Sequence, residues 1–359
     1  MRIVIAPDSF KGTATAVEVA QNLAAGWRTE RPADEIVLLP MADGGEGTLD
    51  AFEAAVPGAR RIPIAVDGPD SRPHEASWLL LPDGTAVIEL AVTSGITLMH
   101  ELRPLDAHAR GFGQAIAAAL DAGATSLMLA VGGSASSDGG ASVLSELGAR
   151  LLDATGAPIR LGNRALADLA VIDLSGLRAL PAGGATVLAD VVSPLLGPTG
   201  AVAVFGPQKG ADATSSPIME ANLAHVAHLL GHDPADPGSG AAGGAGYALL
   251  AWGARFRSGA SAVGDVLGAG AVVASADHVI TGEGRFDEQS SQGKVPSYIL
   301  GLAEAHGVRA SLVAGLIGAP AAGFAAAASL VDLAGSSAAA MGDTAHWLRV
   351  AGAHLTRGA

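Results

Sequence analysis

Apolar and polar positions along the first sixty residues follow the pattern of a parallel α/β protein. A buried strand is predicted at residues 2–6 (RIVIA), and a helix begins near Thr15, where Thr15 and Glu18 form a capping-box pattern. Apolar residues recur every three to four positions along this helix, namely Val17, Ala20, Leu23, Ala24 and Trp27. A second strand (EIVLL), a second helix and a third strand (RIPIAV) follow, so this βαβαβ opening indicates a parallel sheet covered by helices.

The pattern changes in the middle of the chain. Two apolar runs, ASWLLL and TAVIEL, flank a Pro-Asp-Gly turn and predict an antiparallel hairpin. We predict helices at 107–121 and 140–147 around the strand SLMLAV, followed by short strands that include ATVLADV and AVAVF. The α/β alternation resumes at HVI near residue 278, with a helix after Pro296, the strands RASLVA and SLVDLA, and a final helix from about residue 343.

These elements predict two α/β domains. The first is built from both ends of the chain, residues 1–66, about 103–150 and about 265–359. The second has a mixed sheet and is formed from internal segments, about 67–102 and 151–264. An uncharged stretch at 310–331 reaches membrane length, but Pro320 and three glycines interrupt it, and we predict strand, loop and helix there rather than a membrane span.

Composition and charge exclude several classes of function. The 359 residues carry 21 basic and 35 acidic side chains, a net charge of −14, which argues against a nucleic-acid partner. The chain has no cysteine, so disulfides, thiolate metal sites and a cysteine nucleophile are excluded. The N-terminus, MRIVIAPDSF, lacks the layout of a signal peptide, and we predict a cytoplasmic protein.

Lysine is rare in this chain, and its positions are informative. Only Lys11, Lys209 and Lys294 occur among the 21 basic residues, and each is next to a glycine. A lysine carries a compact point charge on a flexible stem, which suits a phosphate group held against a glycine-rich backbone. We therefore predict that the three lysines bind phosphate or another substrate charge.

Four polar, glycine-rich loops follow predicted strands, at residues 7–12, 41–48, 132–140 and 281–290. Ligands of open α/β sheets bind beyond the carboxyl ends of the strands. A single such loop is explained by turn glycines and helix caps, but four together predict an active site. Backbone N–H groups in these loops suit phosphate, and acidic side chains there could hold Mg²⁺ or accept a hydroxyl proton.

Motifs of other enzyme classes do not fit. The chain lacks a Walker A motif, the protein-kinase motif set and a nucleophile elbow. A G-x-G-x-x-G sequence occurs at residues 238–243, but it follows a Pro-rich turn and not a strand, which disfavours a dinucleotide-binding dehydrogenase.

Six sequence blocks together resemble the bacterial-type (class I) glycerate kinases. They occur in that family's order between residue 1 and about 315: IAPDSFKG, PMADGGEGT, GGSASSDGG, FGPQKGA, GAAGGAGYAL and TGEGRFDEQSSQGKVP. The chain departs from the family pattern at Ser136 and Ser137, where Thr and Asn are usual, and at Ser193, where Asn is usual.

The resemblance implies a two-domain α/β fold with one Rossmann- or flavodoxin-like, discontinuous domain. It also implies an ATP- and Mg²⁺-dependent kinase of D-glycerate, with 2-phosphoglycerate favoured as product. The acidic net charge and the interrupted apolar stretch at 310–331 give neither nucleic acid nor a membrane as a partner. The oligomeric state is left open, with a homo-oligomer among the alternatives. Two alternatives are a kinase of another small hydroxy acid and a non-catalytic regulator that binds the same ligand.

On this basis we assign candidate roles to individual residues. The catalytic candidates are Asp190 as base, with Lys11, Lys209 and Lys294 on phosphates or substrate charge. The substrate candidates are Asp8, Ser9, Arg285 and Asp287, and the metal candidates are Asp43, Glu46 and Asp287. The nucleotide candidates lie in the glycine loops at 132–140 and 238–246, and they are Gly132, Gly133, Ser134, Asp138, Gly139, Gly240, Gly243 and Gly244.

Overall fold

The structure is a computed structural model that describes residues 1–288 and 294–358. These residues form thirteen β-strands. In chain order they are β1 (Arg2–Pro7), β2 (Glu35–Leu38), β3 (Arg60–Asp67), β4 (Pro73–Leu80), β5 (Thr85–Glu89), β6 (Ser126–Ala130), β7 (Arg150–Leu152), β8 (Val171–Asp173), β9 (Ala185–Leu188), β10 (Arg255–Arg257), β11 (His278–Phe286), β12 (Arg309–Ile317) and β13 (Ala326–Ser329).

The helices connect and cover these strands. They are α1 (Ala16–Glu30), α2 (Thr48–Ala55), α3 (Leu90–Ser94), α4 (Arg110–Asp121), α5 (Ala141–Glu146), α6 (Ala201–Phe205), α7 (Ser215–Leu230), α8 (Ala245–Trp252), α9 (Gly259–Val266), α10 (Ala269–Ala274), α11 (Val295–His306), α12 (Leu330–Ala334), α13 (Ser337–Gly342) and α14 (Thr344–Leu355). Among the described residues, none of these helices is long and apolar enough to cross a membrane.

The chain divides into two units. Unit 1 combines the chain ends, Met1–Pro57 and Ser258–Ala359, and unit 2 is the continuous segment Gly58–Arg257. This division differs from the expected boundaries because residues 103–150 lie in unit 2, where β6 pairs with β5 and β9. Residues 58–66 also lie in unit 2, since β3 pairs with β4.

Unit 1 is built on a parallel sheet of five strands in the order β13-β12-β11-β1-β2. Numbered within the unit, this is the 2-1-3-4-5 order of flavodoxin-like folds, read from the β2 edge. The sheet carries a core that includes Ile3, Ile5 and Val313, and α1 and α14 pack on it. The two helices approach closely, because a Cβ on Gly26 of α1 would lie 1.9 Å from the carbonyl oxygen of Arg349.

Unit 2 contains a mixed sheet of six strands in the order β10-β9-β6-β5-β4-β3. Four strands from β10 to β5 are parallel, and the β3-β4-β5 meander is antiparallel. The predicted hairpin is therefore confirmed, as is the fold class of two α/β domains, one with a parallel flavodoxin-like sheet and one with a mixed sheet of internal segments. A separate two-stranded ribbon, β7 and β8, lies outside the main sheet.

The predicted sheet position of one strand and the predicted secondary structure of two further segments are wrong. The third strand of the expected βαβαβ unit, RIPIAV, lies in β3 and pairs antiparallel with β4 in the sheet of unit 2, so it does not extend the first sheet. The run AVAVF forms α6, where Ala201 and Val202 are buried in an apolar cluster with residues of α7. Only the first residue of SLVDLA is in β13, and the rest forms α12, whose N-cap Ser329 accepts a hydrogen bond from the Asp332 backbone N–H.

Candidate active site

A cavity of about 380 Å³ lies in unit 1 at the carboxyl end of the parallel sheet. It is lined by residues that follow β1 and by residues at the end of β11, the two central, adjacent strands. From β1 the chain continues to β2 on one side, and from β11 it continues to β12 on the other. This is the topological switch point, where open α/β sheets bind their ligands.

The loop after β1 places Asp8 and Ser9 in the cavity wall. The backbone N–H of Asp8 donates to the Gly282 carbonyl oxygen at 2.8 Å and continues the pairing of β1 with β11. The Asp8 carboxylate accepts the backbone N–H of Ser9 at 2.7 Å. The Ser9 hydroxyl is buried and has no hydrogen-bond partner among the described residues, so it can bond to a ligand in the cavity.

The loop after β2 brings Asp43 beside Lys11. One carboxylate oxygen of Asp43 accepts the backbone N–H of Gly45 at 3.0 Å, and the other lies 3.6 Å from Lys11 Nζ. A Cβ at Gly45 would lie 2.9 Å from that carboxylate, so this turn requires glycine or a displaced Asp43. Asp43 raises the pKa of Lys11, and the lysine therefore stays cationic at neutral pH.

The end of β11 supplies Glu283 and Arg285. The strand continues through the sequence TGEGRF, where a loop was predicted, and it places Glu283 in the cavity wall at 5% exposure. Glu283 lies 3.7 Å from Nζ of Lys294, the N-cap residue of α11. Arg285 also lines the cavity, and its Nε lies 3.3 Å from Asp287.

Three carboxylates therefore share one wall of the cavity. Burial raises the pKa of Asp8 well above its usual range, and the negative charges of Asp43 and Glu283 raise it further. Lys11 and the Ser9 N–H act in the opposite direction. The cavity thus combines paired cations with a buried carboxyl group that a positive ligand would stabilise in its ionised form.

Lys209, by contrast, lies inside unit 2. Its side chain is 3% exposed, and the ammonium group donates to Ser134 Oγ at 2.7 Å and to the Ser136 carbonyl oxygen at 2.5 Å. Burial lowers the pKa of Lys209 to about 7, while Asp138 partly opposes the shift. Asp138 is itself fully buried and accepts hydrogen bonds from the Gly140 N–H and the Ser142 hydroxyl.

The two predicted nucleotide loops, 132–140 and 238–246, pack against each other. The Gly139 N–H donates to the Gly243 carbonyl oxygen at 3.0 Å. A Cβ on Gly243 would lie 2.0 Å from the Ser136 carbonyl oxygen, and one on Gly244 would lie 2.7 Å from Gly139 Cα. These glycines are buried, as are Gly140 and Gly240, whereas Gly133 is exposed and Gly132 is intermediate. Close backbone packing accounts for the buried glycines without a ligand.

The remaining predicted site residues lie apart from the lining of the cavity. Asp190 is half-buried in unit 2, two residues after β9. Glu46 is exposed, and neither it nor Asp287 is among the described residues that line the cavity. Residues 289–293, which belong to the predicted loop after β11, are outside the described residues.

Sequence reasoning missed two features of this cavity. Glu283 received no role because it stands between glycines in a segment that reads as a loop; its position next to Arg285 was the available signal. The apolar side of the cavity was also missed, since Leu330, Val331 and Met341 belong to C-terminal elements that carry no polar motif.

Comparison with known proteins identifies the family. The sequence model of the glycerate kinase family matches residues 3–358. The chain belongs to the glycerate kinase family. This match extends beyond residue 315, where the resemblance seen in the sequence blocks ended, and it includes the helix α14 that packs on α1.

Relatives in this family align over most of their length. The chain is 43% identical over 327 residues to a glycerate kinase of Bacillus subtilis, covering 88% of this chain and 85% of that protein. It is 43% identical over 314 residues to a glycerate 2-kinase of Escherichia coli, covering 85% and 82% of the two chains. The crystal structure of a candidate glycerate kinase 2 from Salmonella typhimurium superposes with a TM-score of 0.83 at 39% identity, covering 100% of this chain and 99% of that one.

Proposed function

We propose that the protein transfers the γ-phosphoryl group of ATP to a hydroxyl group of D-glycerate and forms 2-phosphoglycerate. Membership of the glycerate kinase family supports the acceptor, and the relative named glycerate 2-kinase supports the position. The observation that carries the proposal is the cavity of unit 1, in which three cationic side chains and three carboxylates meet at the switch point of a flavodoxin-like sheet.

The cationic side chains suit the two anionic partners of this reaction. Arg285 presents a planar guanidinium that can bind the glycerate carboxylate, and the buried Ser9 hydroxyl can donate to the same group. Lys11 and Lys294 are point charges suited to phosphoryl oxygens, and each already lies within 4 Å of a carboxylate that orients it. Phosphoryl transfer depends mainly on such positioning and charge neutralisation.

The acidic residues of the cavity fit a magnesium ion that arrives with the nucleotide. Asp8 and Asp43 would provide oxygen ligands, and a cation would stabilise the ionised form of Asp8, whose pKa is raised by burial and further by the negative charges of Asp43 and Glu283. Among residues 1–288 and 294–358, no group of three or more His, Asp or Glu side chains could hold a metal ion, so the proposed ion would take its further ligands from the phosphates and from water. When bound, Mg²⁺ neutralises charge on the phosphates; the protein positions the acceptor through Arg285 and Ser9.

Several candidate roles stay predictions. Asp190 as the base, Lys209 as a phosphate ligand, and Glu46 and Asp287 as metal ligands have no support from the cavity of unit 1. The exposed Gly133 is the nucleotide candidate whose backbone is most accessible to a ligand. A cytoplasmic location and the oligomeric state also stay predictions.

Product analysis tests the proposed function. The protein is incubated with ATP, Mg²⁺ and D-glycerate, and the products are followed by ³¹P and ¹³C NMR. We expect 2-phosphoglycerate and ADP, with turnover abolished by excess chelator. Turnover of a different hydroxy acid in preference to glycerate would indicate the first alternative, and glycerate binding without turnover would indicate the regulator. Either result would refute the proposal.

A further inference from the structure

The cavity of unit 1 has two chemically different walls. The charged wall consists of Asp8, Lys11, Asp43, Glu283, Arg285 and Lys294. The apolar wall consists of Leu316 at the end of β12, Leu330 and Val331 of α12, and Ala340 and Met341 of α13. Both walls line one continuous cavity, so a ligand larger than a single charged group can contact both.

Glycerate has no apolar group that could pack against the apolar wall. This acid has three carbon atoms, and it carries a carboxylate and two hydroxyl groups, so all of its functional groups seek hydrogen bonds. Placing them against Leu330 and Met341 would remove them from water without compensation, which is unfavourable. The charged wall satisfies the acid through Arg285 and Ser9. A cavity of about 380 Å³ also falls in the size range of pockets for ligands much larger than glycerate.

The apolar wall is suited to a planar heteroaromatic ring. Leu330 is 1% exposed and forms a fixed surface, whereas the Met341 side chain is 65% exposed and can move over a ring. The methionine thioether makes favourable contacts with aromatic rings. Two hydroxyl groups, from Ser337 and Thr344, lie in the same lining and can meet the polar edge of a base. The Thr344 hydroxyl donates to the Ala340 carbonyl oxygen at 3.0 Å, so its oxygen can accept from a ligand.

The order of the two walls matches the order of groups in a nucleotide. Lys11 and Lys294 stand at the carboxyl ends of the central strands, where phosphates bind in flavodoxin-like sheets. The apolar wall extends the same cavity along β12 to the C-terminal helices. We propose that the apolar wall binds the nucleoside base of the phosphoryl donor. The inference rests on the proposed function, because it takes ATP as the donor.

This placement differs from the prediction from the sequence, in which the glycine loops of unit 2 bind the nucleotide. In those loops the backbone packs directly against Gly243 and Gly244, where a Cβ would lie 2.0 Å and 2.7 Å from neighbouring backbone atoms. The cavity of unit 1, in contrast, offers open volume together with cations.

Equilibrium binding to matched variants tests the inference. Met341→Asn makes an exposed position of the apolar wall polar without adding charge, and Val266→Asn makes the same type of change at a 43% exposed position that is not in the lining. Affinities for ADP, adenosine and inorganic tripolyphosphate are measured by calorimetry. We expect Met341→Asn to weaken the binding of ADP and adenosine about tenfold, because the apolar contact that Met341 would make with the base is lost. Tripolyphosphate, which has no base, should bind both variants equally.

A second variant and the kinetics complete the test. Val331→Thr keeps the side-chain volume and should weaken adenosine in the same direction, by a smaller factor. In steady state, both wall variants should raise KM for ATP and leave KM for glycerate unchanged. Unchanged adenosine affinity in both, or a rise confined to KM for glycerate, would overturn the inference. Failure of the proposed function has a different signature, namely no phosphoglycerate from the wild-type protein whatever the binding results.

Discussion

Replacing Lys209 by methionine should change how the stability of the protein depends on pH. The ammonium group is buried in unit 2 with its two bonds to the Ser134 hydroxyl and the Ser136 carbonyl. Burial lowers the pKa of Lys209 from 10.5 to about 7, so the folded protein releases this proton near neutral pH. The unfolded chain keeps it until about pH 10.5.

The magnitude follows from the difference between the two pKa values. At about 1.4 kcal/mol for each pKa unit, the folded state binds the proton more weakly by about 5 kcal/mol. Between pH 7 and pH 10 the unfolded state binds more protons, and the free energy of unfolding therefore rises with pH. From pH 7 to pH 9 the contribution of Lys209 amounts to about 2 kcal/mol of added stability. Below pH 7 both states are protonated and the contribution is constant.

Urea denaturation of the wild type and of Lys209→Met, at pH 7, 8 and 9, checks this reasoning. The absolute stability of the variant at one pH is not diagnostic, because losing a buried charge and losing two hydrogen bonds act in opposite directions. The slope is diagnostic, since all other titrating groups are common to both proteins, and the stability of Lys209→Met should rise by about 2 kcal/mol less than that of the wild type from pH 7 to pH 9. Lys209→Arg should lose the same part of the slope and be less stable, because a guanidinium cannot release its proton.

Lys11→Met provides the matched control. The pKa of Lys11 is raised, so this lysine is protonated in both states from pH 7 to pH 9 and contributes no slope. The Lys11→Met curve should therefore run parallel to that of the wild type. Parallel curves for the wild type and Lys209→Met would refute the assignment of Lys209 as a buried lysine with a lowered pKa. The prediction that Lys209 is an accessible phosphate ligand would then be favoured.

Three further predictions concern catalysis, packing and acid stability. Lys294→Ala should lower kcat by about 10²–10³-fold in steady-state kinetics, and Lys294→Arg should restore only part of the rate. In urea denaturation, Gly243→Ala should lower the free energy of unfolding by about 2 kcal/mol more than Gly231→Ala does. Both glycines have a left-handed φ, but only a Cβ at position 243 would lie 2.0 Å from a carbonyl oxygen, that of Ser136. The pKa of the buried His278 is lowered to about 4, mainly by burial, so stability should fall by about 3 kcal/mol as the pH drops from 6.5 to 4, and His278→Gln should remove that loss.

The local part of the fold was predictable from the sequence. The capping box of Thr15 and Glu18 forms as expected, and it begins a helix that buries Leu23 and Trp27 on one face. The hairpin of β4 and β5 also forms where its turn predicted it. In each case the interacting residues lie close together in the sequence, so the local pattern of residues is sufficient to predict the element.

Long-range pairing was not predictable in the same way. RIPIAV has the apolar alternation of a strand in either sheet. It pairs with β4 because the connection between the two strands is short, and a short loop has a low entropic cost of closure. AVAVF has the composition of a strand, yet it packs as a helix against α7 because the burial of Ala201 and Val202 outweighs local preference. The strand HVI is predicted correctly, but its continuation through TGEGRF has the pattern of a loop, because in the sequence a buried Glu283 cannot be distinguished from an exposed one.

The candidate site shows the same limit in its lysines. Each of the three stands next to a glycine, yet Lys11 and Lys294 line the cavity of unit 1, 3.6 Å and 3.7 Å from carboxylates, whereas Lys209 bonds to the backbone and a hydroxyl inside unit 2. A glycine beside a lysine indicates only that another group can approach the backbone closely. In unit 1 the space beside Lys11 and Lys294 is a cavity, whereas in unit 2 the space beside Lys209 is occupied by residues 134–136 of the same chain. The lysines that can meet a phosphate are the two that line the open cavity, because a ligand can reach their ammonium groups without displacing another segment of the chain.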